Sequence, residues 1–291
     1  MIRNDDSHGQ LGTTVCGQMR FEWGTRTYIM GIVNVTPDSF SGDGVMDLEA
    51  AVAQALRFVE QGADIIDIGG ESTRPSFTYP GATSTDASTE LARVIPVVKL
   101  LSRELKVPIS IDTYKASVAR AALDAGASMV NDVWGLMADP ELAKVVAEYE
   151  APVVLMHNKH KAEYRNLMSE VIHQLWDCVE HALEAGIRWE NIIVDPGIGF
   201  GKTKIHNLEL LNRLDELKVL GRPILLGTSR KSFIGWLLDL PPDQRQEGTA
   251  ASVALGIAKG VDIVRVHDVR EMARVARVSD AIVRQRWPQS S

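Results

Sequence analysis

The stretch Gln61-Gly-Ala-Asp-Ile-Ile-Asp-Ile-Gly-Gly-Glu71 contains the unit from which the chain is built. It opens on a glycine suited to the left-handed cap that ends a helix. It continues through the apolar run Asp64–Ile68 and finishes with Asp67 and Glu71 in a glycine-rich loop. A run this apolar has no wet face, as expected of a parallel strand buried on both sides. The same order recurs in both directions along the chain. The strand-like runs are Tyr28–Val33, Asp64–Ile68, Pro108–Ile111, Ser128–Val130, Pro152–Met156, Asn191–Val194, Pro223–Leu226 and Asp262–Val266. Between them lie helical patterns over Asp47–Glu60, Thr89–Leu105, Ala116–Ala125, Pro140–Tyr149, Met168–Ala185, Asn207–Leu217, Gly248–Ala258 and Val269–Arg284.

Strict alternation of strand and helix leaves two α/β architectures, a closed barrel or an open doubly wound sheet. The dinucleotide-binding open sheet wants Gly-x-Gly-x-x-Gly after an early strand, and the sequence has none there. The chain of 291 residues suits one (β/α)8 TIM barrel, a fold of ~250 residues. Residues 16–26 read as a short N-terminal hairpin closing the barrel bottom. The expected boundaries are a disordered tail over 1–15, a single domain over 16–286 and a tail over 287–291.

At 45% apolar and 24% charged residues the composition is that of an ordinary globular protein, which excludes a disordered or fibrous chain. A net charge of −7 with no basic block argues against nucleic acid and anionic membrane as partners. No apolar run approaches the ~18 residues of a membrane span, and the polar N-terminus does not read as a signal peptide. Cys16 and Cys178 have no zinc-ligand spacing. Free thiols in a reducing cytoplasm are the favoured reading, with one disulfide as the alternative.

In a barrel, chemistry sits where strands pass into the loops that follow them. Those positions hold Asn34, Asp67 with Glu71, Asp112, Asn131 with Asp132, His157, Asp195, Ser229–Ser232, and Arg265 with His267. The opposite ends, such as Arg222-Pro223 and Val107-Pro108, are plain connections. Carboxylates beside an amide suit a heterocycle with an edge of N–H donors, such as a 2-amino-4-oxopyrimidine ring. Singly, each Asp serves equally well as a helix cap.

The words around these residues resemble those of the dihydropteroate synthases, the pterin-binding family of folate biosynthesis. Gly31-Ile-Val-Asn-Val-Thr-Pro-Asp-Ser-Phe-Ser41 is similar to that family's first signature, and Asp67-Ile-Gly-Gly-Glu-Ser-Thr-Arg-Pro75 to its second. Ile109–Thr113, Val130–Asp132, Leu155–His157, Asp195–Phe200, Gly227–Gly235 and Arg265–His267 follow in the family's order. The resemblance implies joining of p-aminobenzoate to 7,8-dihydropterin-6-ylmethyl diphosphate, with release of pyrophosphate. It places the pterin on Asp112, Asn131, Asp195 and Lys231, with Met156 and Phe200 as apolar walls. It assigns p-aminobenzoate to Thr73, Arg74, Pro75, Phe200, Lys231 and Ser232. The diphosphate falls to Asn34, Arg265 and His267, with Mg2+ as cofactor and Asn34 its ligand. Among these, Asp112, Asp195, Lys231, Arg265 and Asn34 are the expected catalytic residues. A cytoplasmic homodimer is implied too, with Ile234-Gly-Trp-Leu-Leu238 serving either a dimer contact or the core.

Physical chemistry agrees with such roles. A departing diphosphate needs its growing charge stabilised by Mg2+, arginine and a helix N-terminus. Asp268-Val-Arg-Glu271 reads as an N-cap with Glu at N3, starting a helix beside Arg265 and His267. Two features read as decoys. Gly197-Ile-Gly-Phe-Gly-Lys-Thr203 mimics a nucleotide P-loop, but the required first glycine is Pro196. His157-Asn-Lys-His160 lacks a third metal ligand nearby. The chain departs from the family at Asn158–Lys161, and at Ser76–Pro80, a stretch read as an insertion before Gly81. That insertion brings Phe77 and Tyr79 beside Arg74-Pro75, where a role in discriminating against sulfonamides competes with plain loop-length variation. Two other readings are a methyltetrahydrofolate-dependent methyltransferase and a silent pterin-binding paralogue. The Ser-Thr-Arg-Pro and Arg230-Lys231-Ser232 words weigh against the first, and the intact polar set weighs against the second.

Overall fold

The computed structural model describes residues 11–35, 44–71, 85–285 and 287. An antiparallel hairpin, β1 (Thr13–Cys16) and β2 (Met19–Glu22), precedes the barrel strands β3 (Tyr28–Asn34), β4 (Ile65–Gly69), β5 (Ile109–Asp112), β6 (Met129–Asp132), β7 (Val153–Met156), β8 (Ile192–Asp195), β9 (Leu225–Leu226) and β10 (Ile263–Val266). The eight-stranded sheet is parallel and runs in the order β8-β7-β6-β5-β4-β3-β10-β9. A parallel bridge between Val194 and Ile224 joins its two ends and closes the ring. The helices are α1 (Gly44–Glu60), α2 (Ala87–Glu104), α3 (Ala116–Asp124), α4 (Pro140–Glu148), α5 (Leu167–Glu184), α6 (Lys204–Asn212), α7 (Ser232–Leu238), α8 (Gln246–Ala258) and α9 (Val269–Val283).

Strand side chains alternate with period two, and the core divides accordingly. Ile66, Ile68, Ile109, Ile111, Val130, Val153, Leu155, Ile192, Val194 and Val264 pack outward against the helices. Their neighbours Met30, Ile65, Met129, Val154, Ile193, Leu225 and Ile263 fill the lower lumen with Phe21, Trp23 and Tyr28 from the hairpin region. Phe21 stacks on Trp23 at 5.3 Å and meets Tyr28 edge-on at 4.8 Å, making a plug. Two residues further up these inward rows stand Asp67, Asn131, Asp195 and Arg265. The lumen is thus apolar below and ionic above.

The hairpin begins at Thr13 rather than at residue 16, so the expected tail–domain boundary cuts through β1. The cause is local alternation: Thr14 and Cys16 turn inward, and the Thr14 hydroxyl receives the Trp23 indole N–H at 2.8 Å. The helix expected over Asn207–Leu217 is instead α6 followed by a 3-10 segment, Leu214–Leu220. Thr203 and His206 form a reciprocal cap that starts α6 early. The short helix α7 has no counterpart in the apolar periodicity. Gly62 and Gly126 take positive φ (104° and 111°) just past α1 and α3, as expected for C-terminal caps. Both cysteines are free and buried, and burial pushes each thiol up to about 12. The disulfide alternative therefore falls. No helix among the described residues is long and apolar enough to cross a membrane.

Candidate active site

Asn34, Gly69, Asp112 and Asn131 share one rung of the sheet, each the register partner of the next. Arg265, on β10, reaches across the lumen toward them. Its Nε donates to Asp67 Oδ2 at 2.6 Å and its Nη2 to Asp112 Oδ2 at 2.6 Å. Asn131 Nδ2 also donates to Asp67 Oδ2, at 3.1 Å. Asp67 is fully buried, and Asp112 and Asn131 are nearly so. Burial lowers the Arg265 pKa, but the charges of Asp67 and Asp112 outweigh it and the net shift is upward.

Asp67 Oδ1 and Asp112 Oδ1 are buried and have no hydrogen-bond partner. Leaving such an acceptor unmade costs about 1–3 kcal/mol, so two in one lumen mark a place prepared for donors from outside the chain. Asp112 is raised to about 7, first by burial, against the pull of Arg265 and with the push of Asp67, Glu90 and Asp132.

Asp195 stands on the same side, paired in register with Met156. Its Oδ1 accepts the Gly197 N–H at 2.7 Å. Burial raises its pKa; the Gly197 N–H and the charges of Lys231, Lys202 and Arg265 oppose the rise. Lys231 Nζ lies 4.2 Å from the centre of the Phe200 ring. Gly199 leaves room for it, since a Cβ there would come within 3.0 Å of Lys231 Cδ. Met156 is buried and Phe200 half-buried, in keeping with two walls of a pocket.

His267 Nδ1 lies 2.9 Å from Ser229 Oγ, and that oxygen accepts the His267 backbone N–H at 3.1 Å. Ser229 Oγ thus ties the ring and the backbone of His267 to one loop. Burial, then Arg265 and Arg230, lowers His267 to about 3, so the ring is neutral at working pH. Ser232 opens α7 directly after Lys231. Thr73, Arg74, Pro75 and the Ser76–Pro80 insertion lie outside the described residues.

Asp268 corrects an expectation. It occupies the N-cap position of α9 but makes no side-chain cap bond. Its carboxylate accepts Arg230 Nε at 3.1 Å and Nη2 at 2.5 Å instead. The P-loop decoy has a structural explanation. Lys202 is buried and donates to the carbonyls of Gly197 and Phe200, each at 3.0 Å, and pairs with His157 Nδ1 at 2.8 Å. His157 is thus engaged through Nδ1, and among the described residues no group of three or more His, Cys, Asp or Glu is placed to hold a metal. Sequence reasoning named Asp67 and Ser229 at strand ends without giving them a role. Their signal was the inward register they share with Arg265 and the loop they share with Lys231.

The family model described as pterin binding enzyme matches residues 30–267. A dihydropteroate synthase of Clostridium beijerinckii is 50% identical over 270 residues, covering 92% of this chain and 98% of that one. The Bacillus subtilis dihydropteroate synthase is 53% identical over 259 residues, covering 89% of each chain. Among solved structures, Clostridium difficile dihydropteroate synthase in the presence of pteroic acid superposes with a TM-score of 0.87 at 54% identity, covering 91% of this chain and 99% of that one. The chain belongs to the pterin binding enzyme family and, within it, to the dihydropteroate synthases, which are transferases. The methyltransferase reading is thereby set aside.

Proposed function

We propose that the chain condenses 7,8-dihydropterin-6-ylmethyl diphosphate with p-aminobenzoate, giving 7,8-dihydropteroate and pyrophosphate. The observation that carries this reading is the pair of unpartnered buried acceptors, Asp67 Oδ1 and Asp112 Oδ1, beside Asn131 and Arg265. A pterin edge of N–H donors is the complement of such a wall, and Asp195 offers a third carboxylate. Structures of relatives support the substrates: Xanthomonas albilineans dihydropteroate synthase has been solved with 4-aminobenzoic acid and with 7,8-dihydropteroate.

In this reading Asp112, Asn131, Asp195 and Lys231 hold the pterin, between Met156 and Phe200. Arg265 and the neutral imidazole of His267 face the diphosphate as it departs, stabilising charge that grows in the transition state. Carbon–oxygen cleavage that runs ahead of attack leaves a cationic methylene, which the Asp112 and Asp195 carboxylates stabilise. The arylamine attacks as the neutral base, so no protein group needs to deprotonate it first. Thr73, Arg74, Pro75 and Ser232 take the aminobenzoate carboxylate side.

The donor set fits a magnesium ion that arrives with the diphosphate. Asn34 ends β3 with a hard amide oxygen, and Mg2+ takes few protein ligands when phosphates and water supply the rest. Bound there, it would neutralise the leaving diphosphate. A single pyrophosphate-release assay with both substrates, with and without Mg2+, tests the whole reading. No release with both substrates and Mg2+ present would sink it and leave a silent binding protein; full release without Mg2+ would remove the metal from it.

A homodimer is the assembly we favour. Ile234 belongs to the core, but Trp236, Leu237 and Leu238 on α7, Leu255 on α8 and Val278 and Ile282 on α9 are exposed on successive helices. Exposed apolar groups on neighbouring helices suit an association surface. Sedimentation should give a dimer, and Leu255→Asp should shift it to monomer. The reading also places the enzyme in the cytoplasm. Deletion of Ser76–Pro80, or Phe77→Ala, should lower the ratio of sulfonamide inhibition constant to aminobenzoate KM. An unchanged ratio reduces the insertion to loop-length variation.

A further inference from the structure

Arg230 has a backbone that an arginine rarely adopts, with φ of +57°. It is the third residue of a turn closed by the Lys231 N–H on the Thr228 carbonyl at 3.2 Å. In type II turns that slot demands positive φ and goes to glycine. Arg230 stands between Ser229, which holds His267, and Lys231, which lies over Phe200. A strained residue at such a point persists only when its surroundings over-determine it.

Here they do, at three points. The Arg230 N–H donates to Thr249 Oγ1 at 3.1 Å, and the same hydroxyl donates to the Arg245 carbonyl at 2.9 Å. The Arg230 carbonyl accepts Arg245 Nη1 at 3.0 Å, while Arg245 Nε donates to the Leu240 carbonyl at 2.9 Å. The Arg230 guanidinium binds the Asp268 carboxylate, next to His267. Arg245 reaches the turn only because Gly235 has no side chain, since a Cβ there would fall 2.1 Å from Arg245 Nη2. Glycine at 230 would relieve the strain but would lose the bridge to Asp268.

We propose that Arg245 and Thr249 are positioning residues that hold Arg230 in its left-handed conformation and thereby aim Lys231 into the site. This rests on the reading of Lys231 as a substrate-binding residue. Neither residue touches substrate. Their effect passes through one backbone torsion, which gives it a distinctive signature. Glycine takes positive φ about as readily as negative, so the clamp should matter when residue 230 is arginine and hardly at all when it is glycine.

The test is a cycle. Arg245→Ala with Thr249→Val releases the clamp, and Arg230→Gly removes the need for it. Released in the wild-type background, kcat/KM should fall about tenfold, the size that such backbone strain implies. Released in the Arg230→Gly background, it should fall less than about threefold. Equal falls in the two backgrounds, or no fall in the first, overturn the proposal. A crystal structure of the released variant gives a second readout that needs no turnover. There Arg230 should have left positive φ; an unchanged φ overturns the proposal. A wild-type enzyme that releases no pyrophosphate would count against the proposed reaction, and the crystallographic readout would still decide the clamp.

Discussion

The two ends of the barrel use the same side chain for opposite purposes. At the bottom, Asp64, Asp262 and Asp280 have both oxygens engaged within the chain. Asp262 accepts the N–H groups of Gly24 and Ile224, each at 3.1 Å. Asp280 accepts the Thr27 N–H and hydroxyl at 2.7 and 2.9 Å and pairs with Arg284. Asp64 accepts Ile29 N–H and the Arg26 guanidinium. At the top, Asp67 and Asp112 each keep one buried oxygen unused. Bottom carboxylates close the fold, whereas top carboxylates hold acceptors in reserve at a cost in stability. A barrel whose bottom carboxylates are satisfied can tolerate that cost at the top.

The sharpest way to break this contrast is at Asp195. Asp195→Ala should weaken a pterin analogue about a hundredfold, the loss of a charged hydrogen-bond partner for a buried donor edge. Urea unfolding should also lose about 1 kcal/mol, because the buried Gly197 N–H loses its one side-chain acceptor. Calorimetric titration showing unchanged affinity would remove Asp195 from the pterin site.

The converse substitution comes next. Asp262→Ala should cost about 2 kcal/mol in urea unfolding, because two buried backbone N–H groups lose their acceptor. Its kcat/KM should stay within about twofold of wild type. A large catalytic defect there would show that the bottom is not merely structural.

A smaller effect separates binding from stability by pH. Asp112 titrates at about 7 in the folded chain and near 3.9 unfolded. Its protonated form is the favoured one in the fold. Its contribution to stability is therefore full below the unfolded value and is lost as pH rises through 7. As an acceptor for the pterin it works only when ionised. From pH 6 to pH 8 analogue affinity should rise about tenfold, while the free enzyme loses stability over the same interval. In Asp112→Asn the affinity trend should vanish and the stability trend should weaken, since Asp132, which burial raises to about 6, still contributes. An affinity trend that persists in that variant would assign it to another group.

Much of this was legible in the sequence because barrel strands obey a two-residue period. Asp112, Asn131, Asp195 and Arg265 all lie at run ends, on the inward row, so spacing alone brought them to one face. Lys202 sits in a P-loop-like word that Pro196 already marked as a decoy, and it is spent on Gly197, Phe200 and His157. Asp268 looked like a cap because capping is a local pattern, but its partner Arg230 lies 38 positions away in sequence.

What the sequence determined by itself was therefore the alternation, the closed barrel, the family and the polar upper rim, since each depends on local period or on contiguous words. Only the tertiary structure decided which acceptors are satisfied and which are held open. It alone paired Arg265 with Asp67 across 198 positions and found Arg230 in a conformation suited to glycine. Those are matters of distance between strands and of backbone torsion, and neither is written in the order of residues along the chain.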